Sequence, residues 1–344
     1  MTEVLDLLIV GAGPAGLAAG CAAQDAGLSY EIVERSGIVE SLVRHPQQIR
    51  YFSPSDELAI GGVPFPVAGG HKPTREDALA YYRAVAATRN LRISTWEEVV
   101  SVERLHAQRP GDARFAVTSV ARVARDGETT VRQARYLLVC TGTFQCPRPL
   151  GVPGDDLPKV LYRLEDPTPF FGRHVLVVGG GNSAATAGMT LSEAGAKVTV
   201  AMRRPPVDFQ SHLRPFIVRD LKIMAEERRL TLLSNVAVVA VLTDRVVLSG
   251  LEYDELGPRL VGEPWELQND FVFAHVGHQA DPALFAHLDI LLSPIGLPMC
   301  DEATGETPTP GIFIAGALKK ANIILESRRS AVEIVQRIRA ELAG

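Results

Sequence analysis

Residues 7–35, LLIVGAGPAGLAAGCAAQDAGLSYEIVER, align without gaps over most of their length with residues 175–204, VLVVGGGNSAATAGMTLSEAGAKVTVAMRR. Each stretch opens with four apolar residues and passes through a glycine-rich turn. An alanine-rich helical segment then runs to Ala26-Gly27 or Ala194-Gly195, and a second apolar strand follows. A segment that turns from strand to helix and back to strand in about 30 residues is a β-turn-α-β unit. This chain encodes the unit twice.

The glycines of each copy have separate duties. Gly11 and Gly179 permit the tight turn, Gly13 and Gly181 let the backbone approach a pyrophosphate, and Gly16 and Ala184 allow close packing of helix on strand. The helices that begin around Pro14-Ala15 and Asn182-Ser183 present free N–H groups and a positive dipole end to the phosphates. The copies differ at the residue that selects the nucleotide. Glu34 ends the second strand of the first copy, where a carboxylate accepts from the adenosine-ribose hydroxyls and repels a 2′-phosphate. Its counterpart is Met202, followed by Arg203 and Arg204, whose guanidinium groups suit a 2′-phosphate. The first site is expected to take FAD or NAD, the second NADP.

The length of 344 residues suits two domains. A net charge of −5 leaves no basic excess for a nucleic-acid backbone or an anionic membrane. The cysteines Cys21, Cys140, Cys146 and Cys300 are widely spaced and form no C-x-x-C pair, which argues against a disulfide framework and against a zinc site. The start, Met1-Thr2-Glu3-Val4-Leu5-Asp6, lacks the positive region of a secretory signal, and the weakly polar stretch 7–23 is short and glycine-broken for a membrane span. A cytoplasmic protein is expected.

Between the copies, residues 37–73 are punctuated by Gly61-Gly62, Pro64, Pro66 and Pro73 and read as a long loop. Thr74-Arg75-Glu76-Asp77 opens a helix in capping-box style, with 76–88 as its body. Segments near 91–94, 98–103, 114–120 and 129–139 read as strands of a small antiparallel layer, the last ending in Cys140-Thr141-Gly142. Further on, helix is expected at 211–229, strands at 231–250 and 271–275, and a final helix at 325–342. Gly311-Ile312-Phe313-Ile314-Ala315-Gly316 reads as a strand ending beside a helix start, where the N–H groups of Gly316 and Ala317 would face a flavin ring. The fold class is therefore α/β, with two Rossmann-like (three-layer ββα) dinucleotide-binding domains. The FAD domain is discontinuous (1–150 and 281–344), and the NADPH domain (151–280) is inserted in it.

These features together resemble the low-molecular-weight thioredoxin-reductase-like flavoproteins of the pyridine nucleotide-disulfide oxidoreductase superfamily. Within them the chain is most similar to the YpdA branch, the bacillithiol disulfide reductases. The similarity is carried by GIVESLVRHPQQIRYFSPSDELAIGGVPFP (37–66), KPTREDALAYYRAVA (72–86), GGGNSA (179–184), HVGHQADPALF (275–285) and PGIFIAGALKKANIILESRR (310–329). The resemblance implies FAD at Gly11, Gly13, Pro14, Ala15, Gly16, Glu34, Thr141, Gly142, Gly316 and Ala317. It implies NADPH at Gly179, Gly181, Asn182, Ser183, Ala184, Arg203 and Arg204. It also implies hydride transfer from NADPH to FAD and on to a small disulfide, in a homodimer. The chain departs from the family where its redox cysteine would stand, at Ala15, and it lacks the C-x-x-C of thioredoxin reductase.

With that thiol missing, catalytic candidates are His45 in the long loop, His278 near the domain junction, and Cys146 in Gln145-Cys146-Pro147. Cys21 and Cys140 read as core residues, and Asp301 would raise the pKa of Cys300. Oxygen, in a flavin monooxygenase, or a protein partner of a non-enzymatic electron-transfer or sensing module stand as alternative acceptors.

Overall fold

The computed structural model describes residues 3–66, 70–106, 109, 111–123, 127–204, 213–255, 257–320 and 323–344. The chain divides into two compact units, Met1–Cys146 with Gln279–Gly344, and Pro147–His278.

In the first unit the glycine-rich repeat forms strand Val4–Val10, helix Pro14–Asp25 and strand Tyr30–Glu34. Val4–Val10 sits mid-sheet, parallel to Tyr30–Glu34 on one side and to Thr129–Val139 on the other. Because successive strand residues point to opposite faces, both faces are apolar. Leu7 and Ile9 join the core that contains Leu17, Ala18, Leu138 and Val335. Leu5, Leu8 and Val10 join Val117, Leu137 and Val139 on the other side. Helix Pro14–Asp25 can lie close to the sheet because its contact residues are small: a Cβ at Gly20 would stand 2.7 Å from Ile32 Cδ1. The long helix Ile324–Ala343 contributes Ala331, Ile334, Val335 and Ile338 to the same layer.

Four strand expectations hold as elements, at Ile93–Thr95, Glu97–Arg104, Phe115–Ala121 and Thr129–Val139. Their pairing needs correction. Ile93–Thr95 runs parallel beside Tyr30–Glu34, outside the antiparallel layer. Thr129–Val139 is long enough to serve twice: its first half pairs antiparallel with Phe115–Ala121, and its last residues pair parallel with Ile312–Ile314. The capping box forms as expected: Thr74 Oγ1 accepts from Asp77 N–H at 3.2 Å and Asp77 Oδ2 accepts from Thr74 N–H at 2.9 Å, so helix Arg75–Thr88 starts there.

The second unit repeats the motif as strand His174–Val178, helix Asn182–Glu193 and strand Lys197–Met202. Its parallel sheet has the order Leu230–Ser234, Lys197–Met202, His174–Val178, Phe271–Ala274, Val160–Leu161. Helix Pro215–Glu226 is shorter than the expected 211–229; residues 211 and 212 lie outside the described residues. A three-stranded antiparallel sheet of Val236–Val241, Arg245–Asp254 and Gly257–Gln268 accompanies it. The last strand escaped sequence reasoning because Gly257, Pro258, Gly262 and Pro264 punctuate it; such residues are tolerated on an edge strand, which this is. No described helix is long and apolar enough to cross a membrane.

Candidate dinucleotide sites

In the first unit a cleft of about 530 Å³ opens at the C-terminal ends of the parallel strands, where ligands bind in open α/β sheets. Gly11, Gly13, Pro14, Ala15, Glu34, Thr141, Gly142, Gly316 and Ala317 all line it. Gly11 has φ +104°, and a Cβ there would fall 2.9 Å from the Cys140 carbonyl, so the turn needs glycine. Gly16 lies behind the cleft wall, and a Cβ on it would come within 1.9 Å of Gly11 O. Gly13 differs. Its φ is an ordinary −74°, and a Cβ would meet nothing within 4 Å. The chain itself has no steric need of glycine at 13, whereas a group lying on the loop does.

Glu34 is anchored for its role. One carboxylate oxygen accepts from Ala12 N–H at 2.8 Å and the other from Ser36 N–H at 3.0 Å, fixing the side chain at the cleft edge with lone pairs to spare. Burial raises its pKa, and those two N–H groups together with Arg35 oppose the rise. Beside the Gly11 turn, Thr141 Oγ1 is buried without a hydrogen-bond partner among the described residues. An orphaned hydroxyl on the wall of a cleft fits a polar ligand that is bound in function. The residues present therefore fit a dinucleotide such as FAD.

The C-terminal wall needs a correction. Gly316 N–H, expected to face the flavin, donates instead to Ser330 Oγ at 3.1 Å. Gly316 opens a short turn, Gly316–Lys319, and with φ +74° it shapes the wall through its backbone conformation. Sequence reasoning missed Arg35, Ile323, Ile324 and Ser327, which also line the cleft. Arg35 is held by Asp281 at 3.0 Å, and that same carboxylate caps helix Pro282–His287 through Ala283 N–H. No spacing in the sequence relates residues 35 and 281.

The second unit carries the same turn. Gly179 has φ +146°, and a Cβ there would strike His275 O at 2.2 Å, while a Cβ at Gly181 meets nothing within 4 Å. Asn182 opens the helix and its Oδ1 accepts from Arg214 N–H at 2.9 Å; Ser183 is exposed and Ala184 buried. Met202 is fully buried and cannot serve a ribose, whereas Arg203 and Arg204 emerge exposed at the strand end. Tyr253 Oη donates to Arg203 O at 2.8 Å, tying that segment to the antiparallel sheet.

Of the catalytic candidates, His45 and Cys146 line the first unit's cleft. His45 Nδ1 stands 3.1 Å from Tyr51 Oη, and its ring meets Phe144 edge-on at 4.7 Å. His278 lies in the second unit, half-buried, its pKa lowered by burial and by Arg163 and Arg148. Cys21 and Cys140 are buried, with burial pushing the Cys21 thiol up to about 11 and Cys140 still higher. Cys300 is also raised, by burial before Asp301, and it lines a separate groove with Lys319 and Lys320.

A family model for pyridine nucleotide-disulphide oxidoreductase matches residues 8–316. The bacilliredoxin reductase Bdr of Bacillus subtilis is 29% identical over 316 residues, which cover 92% of this chain and 90% of the relative. Among solved structures, the bacillithiol disulfide reductase Bdr (YpdA) of Bacillus cereus superposes with a TM-score of 0.86 at 29% identity, over 98% of this chain and 100% of the other. Its Staphylococcus aureus counterpart gives 0.84 at 30% identity, over 99% of each chain.

Proposed function

The chain belongs to the pyridine nucleotide-disulphide oxidoreductase family, and on that premise we propose that it uses NADPH to reduce a low-molecular-weight disulfide, with FAD in the first unit and NADPH in the second. The observation that carries the reading is the pair of cradles at Gly13 and Gly181, each open above an unstrained glycine and each at the start of a 12-residue helix. The names of the similar Bdr proteins point to a disulfide of the bacillithiol type as acceptor.

FAD, when bound in the first unit, would supply the redox chemistry that links NADPH oxidation to disulfide reduction. The chain's residues position and select. Glu34 holds the adenosine ribose of FAD and Gly13 admits its pyrophosphate. Thr141 Oγ1, buried beside the Gly11 turn, would give the bound cofactor a hydrogen bond. Arg203 and Arg204 grip the 2′-phosphate that distinguishes NADPH from NADH. The net reaction is NADPH + H⁺ + RSSR → NADP⁺ + 2 RSH. A cytoplasmic setting and a homodimer complete the reading. Small molecules are its partners rather than nucleic acid or membrane, in keeping with the net charge of −5.

The test is to purify the protein, record its visible spectrum, and titrate it anaerobically with NADPH and then with bacillithiol disulfide. A yellow protein, bleached by NADPH and restored by the disulfide, is expected. A colourless protein that takes up no FAD refutes the assignment of the first unit, and reduced protein that only oxygen restores refutes the acceptor.

A further inference from the structure

His278 is the histidine that sequence reasoning singled out near this junction, but the geometry points elsewhere. In the second unit, strand His174–Val178 has the strand that follows its own helix on one side and Phe271–Ala274 on the other. The crevice between His174–Val178 and Phe271–Ala274 is a topological switch point, where a dinucleotide crosses an open sheet. Val178 and Ala274 are register partners at the ends of those strands, so Gly179 and His275 are the first residues beyond them. His275 N–H donates to Val178 O at 2.8 Å, and His275 O sits where a Cβ on Gly179 would be.

The His275 side chain is harder to explain by folding alone. Its ring lies nearly parallel to Phe273, with centroids 6.1 Å apart and planes 8° from parallel, an environment an apolar side chain would suit. Yet Nε2 is buried with no hydrogen-bond partner among the described residues. Such an atom destabilises a fold unless something else pairs with it.

We propose that His275 is a nucleotide-binding residue of the second unit, its Nε2 pairing with a hydroxyl or carboxamide of the nicotinamide half of NADPH. The proposal rests on the reading of this unit as the NADPH site. Arg203 and Arg204 lie past the strand on the opposite side of His174–Val178, which assigns the adenosine half there and the nicotinamide half to the His275 side. Burial, and secondarily the neighbouring His278, lower the imidazole pKa to about 4. At neutral pH the ring is therefore uncharged, one nitrogen protonated and one bare. It can pair with a neutral hydroxyl or amide and adds no second anion site to compete with the arginines for phosphate.

The experiment compares NADP⁺ with its adenosine half, 2′,5′-ADP, by calorimetric titration of the FAD-loaded protein. His275→Leu should weaken NADP⁺ roughly tenfold, the loss of one buried hydrogen bond, and leave 2′,5′-ADP unchanged. Without nucleotide, His275→Leu should melt no lower than the wild type, whereas a purely structural histidine would lower the melting temperature and spare NADP⁺ affinity. In the wild type, the nitrogen-15 resonance of His275 Nε2 should shift on adding NADP⁺ and not on adding 2′,5′-ADP, a readout that requires no variant to fold. Unchanged NADP⁺ affinity in His275→Leu, an equal loss for both ligands, or an unmoved resonance overturns the proposal. If the wild type binds neither ligand, the NADPH reading of the unit fails first and this inference with it.

Discussion

The two copies of the β-turn-α-β unit share a backbone plan and differ in how tightly they close on themselves. In the first, Gly16 lies so close to the turn that a Cβ would come within 1.9 Å of a carbonyl oxygen. In the second, Ala184 occupies the matching place, buried, with its Cβ only 3.1 Å from where a Cβ on Gly179 would stand. The first copy also ends its second strand in a carboxylate held by two backbone N–H groups, and the second ends in a buried methionine. One motif thus tolerates two packing solutions and two nucleotide choices, because turn, phosphate approach and ribose selection fall on different residues.

The largest expected effect breaks that packing contrast. Gly16→Ala should destabilise the first unit by about 3 kcal/mol or more, since the obstacle is backbone and cannot swing aside. Purified variant, if it accumulates, should be largely free of flavin by absorbance. Ala184→Gly in the second unit should cost only roughly 1–2 kcal/mol, the helix penalty of glycine plus the loss of one buried methyl. Equal denaturation midpoints for the two variants would mean that the copies do not differ as described.

Next comes the carboxylate. Glu34→Ala should remove a charge-assisted contact to the ribose worth roughly 1.5–3 kcal/mol, and it also frees Ala12 and Ser36 N–H from their acceptor. FAD retention after dialysis should fall clearly, with Glu34→Gln intermediate. Retention equal to wild type in both variants would remove Glu34 from the site.

How much of this was legible in the sequence follows from where each signal lies. The glycines, Glu34, Met202 and the arginine pair sit at fixed offsets within one continuous unit, and a local motif can be read locally. The Thr74–Asp77 capping box is legible for the same reason. The Arg35–Asp281 pair joins residues far apart in the chain, and the His275 Nε2 orphan appears only once Phe273 and Gly179 are placed around it. Ser330 taking Gly316 N–H is another long-range event, and it overturned a contact that strand-end reasoning had given to the flavin. Strand Gly257–Gln268 was hidden because edge position, a tertiary fact, is what excuses its prolines.

A smaller effect sharpens the nucleotide contrast. Replacing Arg203 and Arg204 together by alanine should abolish the preference for NADPH over NADH mainly through KM, as expected when binding common to ground and transition states is lost. Flavin reduction at saturating NADPH, followed by stopped flow, should be nearly unchanged. A fall in the limiting rate with KM preserved would give the arginines a different role.

The smallest expected effect concerns Ala15, in the first turn of helix Pro14–Asp25 and on the cleft wall. The resemblance would place a redox cysteine there, where the helix terminus favours thiolate and a thiol could exchange with a bound disulfide. Alanine can do neither, and its neighbour is the bare Cα of Gly316, on which an added Cβ would lie 3.1 Å from that of Ala15. Gly316 thus leaves the space beside the Ala15 Cβ free of a side chain. Ala15→Cys should leave FAD content and reduction by NADPH unchanged and raise turnover of bacillithiol disulfide a few-fold. Cys146 also lines this cleft, so Cys146→Ser is the necessary partner experiment. If wild-type turnover is slow and Cys146→Ser abolishes it, the thiol function has moved along the cleft wall from 15 to 146. If the wild type is fast and remains so with all four cysteines replaced by serine, the electron pair reaches the disulfide without any protein thiol, and Ala15 marks a change of route rather than a loss.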